Sequence, residues 1–281
     1  MSERTKVTKK MMRDALDSLG IEKNSILLTH SSLKALGEIE GGAMGVIEAL
    51  GDTVPEGTLV FPTLSQKNWS TVFEDWHLDR PSDVGLISET FRKLDGAVRS
   101  DNPTHSVSAK GAFSEEIASH HAEGKPRWGL YGEYPFGESS PWQMMFESRE
   151  RFGVKAYVLF WGVTMMYNTY KHFSEYRFVE RLLNSIPDEE KRDTVRSRLH
   201  HYPVPKGTEL LYWPFYSSEE FQKTLLDEGI AKKIRLGDGE IIVADIYEAV
   251  TRVDKALWEE PEKMLAPHMQ EWVRSAIEAR G

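Results

Sequence analysis

Three short apolar runs constrain this fold more than any other feature of the chain. They are Ser25-Ile26-Leu27-Leu28-Thr29-His30, Thr58-Leu59-Val60-Phe61-Pro62 and Tyr157-Val158-Leu159-Phe160-Trp161-Gly162-Val163. Each is too short for a stable helix and reads as a buried strand. Between the first two, Gly41 to Leu50 reads as a helix, so strand, loop, helix and strand follow in the order of an α/β unit. We therefore expect an α/β fold, a mixed central sheet flanked by helices.

The flanking segments extend this pattern. Residues 6–19 are predicted as an amphipathic helix, with Val7, Met11, Met12, Ala15, Leu16 and Leu19 near a three-and-four spacing and Gly20 at the C-terminal cap. Helices are also predicted from Val84 to Leu94, from Phe113 to His120, and from Ser139-Ser140-Pro141 to about Glu147, where serine suits the N-cap and proline the first helical position. Ile230 to Leu236 and Glu240 to Val243 flank Gly237-Asp238-Gly239, a hairpin-turn signal. Thr208 to Tyr216 is strand-like, Ser217 suits a helix cap with Glu220 three residues on, and residues 245–258 and 266–279 are helical. Residues 64–84 read as a long loop carrying Trp69, Phe73 and Trp76, and 124–137 as an irregular segment with Trp128, Tyr131, Tyr134 and Phe136. Residues 184–206 are charge-dense, with three prolines and no evident core face. We read 184–216 as an insertion or lid on one domain spanning 1–281.

Charge and composition narrow the chemistry. Acidic residues outnumber basic ones, 44 to 35, for a net charge of −9. That argues against a nucleic-acid partner, which calls for a basic face, and is compatible with a cationic small molecule. The chain has no cysteine, so disulfides, thiolate metal sites and a cysteine nucleophile are excluded. Met1 to Lys10 lacks the apolar core of a signal peptide, and no run approaches the length of a membrane span. The expectation is a cytoplasmic protein without a membrane partner.

The candidate chemistry lies just after the third strand, in Asn168-Thr169-Tyr170-Lys171-His172-Phe173-Ser174-Glu175. On a helix His172 and Glu175 share a face, and a carboxylate there can orient an imidazole and raise its basicity. Such a pair suits general-base catalysis. The plain alternative is a surface ion pair worth well under about 1 kcal/mol. Position favours chemistry, because α/β proteins place sites at the carboxyl ends of strands. A metal centre is the weaker reading, since the helix lacks a second histidine at ligand spacing.

Several separated pieces stand in a fixed order: His30-Ser31-Ser32-Leu33-Lys34-Ala35-Leu36-Gly37, Phe61-Pro62-Thr63, Arg99-Ser100 with Pro103 and His105-Ser106, Ser139-Ser140-Pro141, and Asn168-Thr169 with His172 and Glu175. Together they resemble the aminoglycoside 3-N-acetyltransferase family over about residues 5–260. The resemblance implies acetyl-coenzyme A dependent transfer to a primary amine of an aminoglycoside-like small molecule. It also implies an α/β fold distinct from the common GNAT acetyltransferase fold, whose Arg/Gln-rich pyrophosphate loop is absent here.

The same resemblance assigns candidate roles. His172 becomes the base that deprotonates the amine, with Glu175 orienting its ring or holding the ammonium. Ser31, Ser32, Leu33 and Lys34 become coenzyme contacts. Their loop follows a strand, and its backbone N–H groups and the Lys34 ammonium suit phosphates. Ser106 becomes a donor to pantetheine or phosphate. Thr169 or a backbone N–H is the candidate oxyanion donor, and Glu219 or Glu220 the candidate second carboxylate. Asn102 departs from the family, where histidine is common. No metal is expected, and a homodimer is left open. Two alternatives stay open: an amine acetyltransferase without antibiotic activity, and a catalytically silent coenzyme A binding protein.

Overall fold

The computed structural model describes residues 4–65, 73–199 and 218–281. In chain order its strands are β1 (Lys6–Val7), β2 (Ile26–Ser31), β3 (Glu38–Ile39), β4 (Thr58–Pro62), β5 (Val98–Arg99), β6 (Val107–Gly111), β7 (Ala156–Trp161), β8 (Ala231–Leu236) and β9 (Gly239–Asp245). The helices are α1 (Lys9–Leu19), α2 (Gly42–Thr53), α3 (Leu86–Arg92), α4 (Ser114–Ala118), α5 (Pro141–Phe146), α6 (Ser148–Arg151), α7 (Tyr170–Asn184), α8 (Glu189–Arg198), α9 (Ser218–Asp227), α10 (Ile246–Glu259), α11 (Pro261–Met264) and α12 (Gln270–Arg280).

The three apolar runs form the parallel centre of a seven-stranded sheet in the order β5-β6-β4-β2-β7-β9-β8. Strand β2 lies between β4 and β7 and runs parallel to both, with Ile26 opposite Thr58 and His30 opposite Phe160. The outer strands join antiparallel, so the sheet is mixed as expected. Central strands must be apolar on both faces because both are covered. Leu27, Phe61, Leu159 and Trp161 pack on one side with Met12, Leu16, Leu50 and Phe91 of α1, α2 and α3. Ile26, Leu28, Val158 and Phe160 pack on the other side with Trp142, Phe173 and Val253 of α5, α7 and α10. Full burial of each such side chain contributes about 1.5–3 kcal/mol before chain entropy is counted.

Local signals explain the element ends. Ser140 caps α5, accepting a hydrogen bond from the Gln143 N–H at 3.3 Å, with Pro141 in the first turn. The chain start differs from expectation. Lys6 and Val7 are not helical but pair in parallel with Glu38 and Ile39, and α1 begins only at Lys9. The cause is Thr8, whose extended backbone and side-chain acceptor for the Met11 N–H make it the N-cap. The first part of the charge-dense segment also differs. Ile186 and Val195 are buried, and the Trp272 indole N–H donates to the Val195 carbonyl at 2.9 Å, docking α8 against α12. The strand expected over 208–216, the Ser217 cap and Trp69 lie outside the described residues. Among the described residues, no helix is long and apolar enough to cross a membrane.

Candidate active site

The carboxyl ends of the three parallel strands open on one cleft. Ser31 at the end of β2, Pro62 at the end of β4 and Gly162 after β7 all line a cavity of about 940 Å³. Parallel strands deliver their outgoing loops to one side, and ligands of α/β sheets bind there. After β7 the chain makes a short 3-10 turn, Met165–Tyr167, and enters α7. Asn168, Thr169 and His172 line the cleft, so α7 brings its N-terminal end, the positive end of its dipole, to the site. A second cavity of about 20 Å³, walled mainly by apolar side chains between α7, α9 and α10, has room for about one water.

His172 and Glu175 are brought together as their spacing requires. His172 Nδ1 lies 2.9 Å from Glu175 Oε2, with the carboxyl fully buried and the imidazole one-fifth exposed. This is no surface ion pair. A carboxylate only accepts, so Nδ1 carries a proton, and in the neutral ring the lone pair is on Nε2. Nε2 lies 3.4 Å from the hydroxyl of Tyr131, and both residues line the cleft. Burial first, and then the Glu175 charge, raise the Tyr131 phenol above its ordinary pKa and keep it protonated.

Other histidines surround the site without competing as bases. His105 stands edge-on to His172, ring centroids 6.0 Å apart, with its Nδ1 2.8 Å from the Thr104 hydroxyl. Burial holds its pKa well below the ordinary value, and the neighbouring His172 and His121 add to this. His30 is stacked on Phe160, and burial pushes it down to about 3. His121 is held between the Ser100 hydroxyl and the Pro135 carbonyl, and burial pushes it down to about 4. All three are neutral imidazoles at pH 7.

Asn102, the departure from the family pattern, has a structural use. Its side-chain oxygen accepts from the Thr104 and His105 N–H groups at 3.1 and 2.8 Å, folding the loop that presents His105.

Ser31, Ser32, Leu33 and Lys34 all line the cleft with His172. Their loop is held from several sides. The Ser32 N–H donates to the Trp161 carbonyl at 2.8 Å, and the Asp238 N–H in the β8–β9 hairpin donates to Leu36 at 2.9 Å. Gly162 lies against the same loop. Its φ is 68°, and an added β-carbon would stand 2.8 Å from that of Ala35. Ser106 is not brought to the cleft. It is fully buried, and its hydroxyl donates to the Thr63 carbonyl at 2.9 Å, tying the end of β4 to the start of β6. Of the two candidate acidic residues, Glu219 lines the cleft and Glu220 lines a separate groove with Arg252 and Lys255. Thr169 lines the cleft and is nearly buried.

Tyr131 had no role in the sequence reading beyond one aromatic of an irregular segment. Nothing in its spacing marks it; its place comes from a contact between that segment and α7.

Comparison with known proteins shows the family and the fold. The profile of the aminoglycoside 3-N-acetyltransferase family matches residues 28–257. The SPbeta prophage-derived aminoglycoside N(3')-acetyltransferase-like protein YokD of Bacillus subtilis (strain 168) is 31% identical over 200 residues, 63% of this chain and 68% of that protein. Proteins named aminoglycoside N(3)-acetyltransferase III, from Salmonella sp and Enterobacter cloacae, are matched over only 60% of their length. Two solved structures share the fold. The apoenzyme of aminoglycoside acetyltransferase AAC(3)-IVa superposes with a TM-score of 0.68 at 23% identity, covering 99% of this chain and 100% of that one. The binary complex of AAC-IIIb with CoASH superposes with a TM-score of 0.63 at 19% identity, covering 90% and 97%. This chain belongs to the aminoglycoside 3-N-acetyltransferase family, as the ordered motifs implied.

Proposed function

We propose that this member of the aminoglycoside 3-N-acetyltransferase family moves the acetyl group of acetyl-coenzyme A directly onto a primary amine of an aminoglycoside-like acceptor. The observation that carries this reading is the buried Glu175 at 2.9 Å from His172 Nδ1, beside a cleft that the Ser31–Lys34 loop also lines. An alkylammonium cannot attack a thioester until it loses a proton. His172 Nε2, with its lone pair kept by the Glu175 bond, accepts that proton. Glu175 fixes the ring and offsets the charge of the imidazolium that results.

The backbone N–H groups of the loop after β2 and the Lys34 ammonium hold the coenzyme's phosphates. Thr169 and the N-terminal end of α7 donate toward the oxygen that gains charge during attack. Glu219 faces the acceptor's remaining ammonium groups across the cleft. Ser106 supports this arrangement through Thr63 rather than by touching the coenzyme. Transfer is read as direct, from the thioester carbon to the amine nitrogen, with no acyl-enzyme between.

The test is release of free thiol when acetyl-coenzyme A is mixed with a panel of aminoglycosides. Turnover is expected with at least one, and His172→Ala is expected to abolish it while calorimetric affinity for coenzyme A is kept. Binding of coenzyme A with no turnover of any aminoglycoside would overturn the acceptor assignment. Full activity in His172→Ala would overturn the base assignment.

A further inference from the structure

The phenol of Tyr131 stands beside the working nitrogen of the base, and the acetyl transfer described above leaves it without a task. Its oxygen lies 3.4 Å from His172 Nε2, its ring stands edge-on to that of His172 at 4.9 Å, and it lines the cleft. A packing residue would need only the ring. Here the backbone that carries the phenol is clamped to the helix that carries the base. The Tyr131 N–H donates to the Tyr176 hydroxyl at 2.7 Å, and that hydroxyl donates onward to the Gly132 carbonyl at 3.2 Å. Tyr176 lies one turn beyond His172 on α7 and is fully buried. The helix therefore fixes the imidazole, the carboxylate and the loop bearing the phenol as one unit. Burial and Glu175 keep that phenol in its O–H form, able to donate and to accept at once.

We propose that Tyr131 is a further catalytic residue of the acetyl transfer, relaying a proton from His172 to the departing thiolate of coenzyme A. The proposal rests on the function inferred above. In the step, the ammonium proton that His172 first accepted has passed to solvent, and the neutral amine nitrogen then forms a bond to the acetyl carbonyl carbon and gives one further proton to His172 Nε2. The carbon–sulfur bond then breaks, and its electron pair leaves on sulfur. The Tyr131 hydroxyl proton passes to that sulfur, while the Tyr131 oxygen takes the proton from His172 Nε2. Neutral imidazole and neutral phenol are restored. One amine and one thioester have become one amide and one thiol. The nitrogen is still bonded to the carbonyl carbon beside Nε2 when the sulfur leaves, and the phenol gives that sulfur a proton donor of its own.

The experiment uses the full chain and compares wild type with Tyr131→Phe, which keeps the ring contacts to His105 and His172. With acetyl-coenzyme A and an aminoglycoside that wild type acetylates, kcat is expected to fall roughly 10²-fold, the scale of one proton-transfer catalyst, with little change in KM for either substrate. The solvent-deuterium proton inventory on kcat should change from curved in wild type to linear in the variant. A kcat within about twofold of wild type, or a loss confined to KM, would overturn the relay. If Tyr131→Phe does not fold, Tyr176→Phe, which frees the Tyr131 backbone, should lower kcat in the same direction; unaltered kcat counts against the proposal. A readout that needs no acceptor separates this proposal from the function beneath it. The nitrogen resonance of His172 Nε2 in the free protein should shift on Tyr131→Phe. An unmoved resonance removes the contact and the relay with it. Absence of turnover by wild type overturns only the acceptor reading.

Discussion

Gly129 and Tyr176 approach so closely that no side chain fits between them. A β-carbon on Gly129 would stand 2.1 Å from Cζ of the Tyr176 ring and within 2.5 Å of both its Cε atoms. The ring belongs to α7 and is buried, so the loop must yield rather than the helix. Gly129→Ala is expected to lose about 1–3 kcal/mol, the usual cost of overpacking. It should also displace Tyr131, two residues on, from His172. Denaturant unfolding checks the first effect. The second requires kcat to fall by more than the unfolded fraction explains, and a variant that is less stable yet fully active would refute it.

Glu175→Gln keeps the size of a fully buried side chain but replaces an anion with an amide. The amide can still accept from Nδ1–H through its oxygen, yet it brings two donors of its own and no charge to offset an imidazolium. We expect kcat to fall by roughly 10² or more, on the scale seen when a buried orienting carboxylate is neutralised. Coenzyme A affinity should stay close to wild type, because the loop from Ser31 to Lys34 is untouched. Calorimetry beside thiol-release kinetics checks both halves. Weakened coenzyme binding with unaltered kcat would place Glu175 in binding rather than catalysis.

How much of this was legible in the sequence depends on whether a feature is local. Strand β4 was read at its observed bounds, and the α5 cap at its observed residues, because apolar runs and Ser-Pro starts are decided within a few residues. The His172–Glu175 pair was legible for the same reason, being one turn of one helix. The two-residue strands β1 and β3 were not. They pair across 32 residues, and a length of two carries no period to detect. Tyr131 escaped notice because its meaning is a contact to an imidazole 41 positions away. Ser106 reads as a ligand donor because a serine after a turn looks the same whether its hydroxyl faces a cleft or, as here, the Thr63 carbonyl just past the end of β4. Motif order identified the family; side-chain direction needed the fold.

Arg99 belongs to the ordered motif set but serves as a scaffold. Its guanidinium donates to the carbonyls of Leu78, Arg80 and Thr63 and to the Ser65 hydroxyl, and it stacks 4.8 Å over the Trp76 ring. It thus ties the loop after β4 to the edge strand β5. Burial lowers its pKa to about 10, so it stays charged at pH 7. A lysine ammonium cannot reproduce a planar fork bonded on both arms. Arg99→Lys is therefore expected to lose roughly 2 kcal/mol or more, nearly as much as Arg99→Ala, through carbonyls left unsatisfied. Equilibrium unfolding of both variants checks this, and full rescue by lysine would show that charge alone matters.

Acid should destabilise this protein earlier than its carboxylates alone would. His30 and His121 have native pKa values pushed by burial to about 3 and about 4, and His105 is also held well below its ordinary range. In the unfolded chain all three titrate near 6.5. The direction follows from proton counting. Below about pH 6.5 the unfolded state binds protons that the native state refuses, so stability is complete above that pH and is lost as pH falls toward the native values. Each imidazole withdraws up to about 1.4 kcal/mol per pH unit in that window. Three together can remove on the order of 4 kcal/mol per unit, against a typical total stability of roughly 5–15 kcal/mol. Glu89, held at about 2 chiefly by its bond to Arg92, adds to the loss only below its own unfolded value near 4.5. Denaturant midpoints measured between pH 8 and pH 4.5 should be flat above about 7 and fall steeply below about 6. Replacing His121 with glutamine should reduce proton uptake on unfolding by about one, because one buried imidazole is gone. A midpoint unchanged down to pH 5 would mean that these rings take up protons in the folded state, and would refute the prediction.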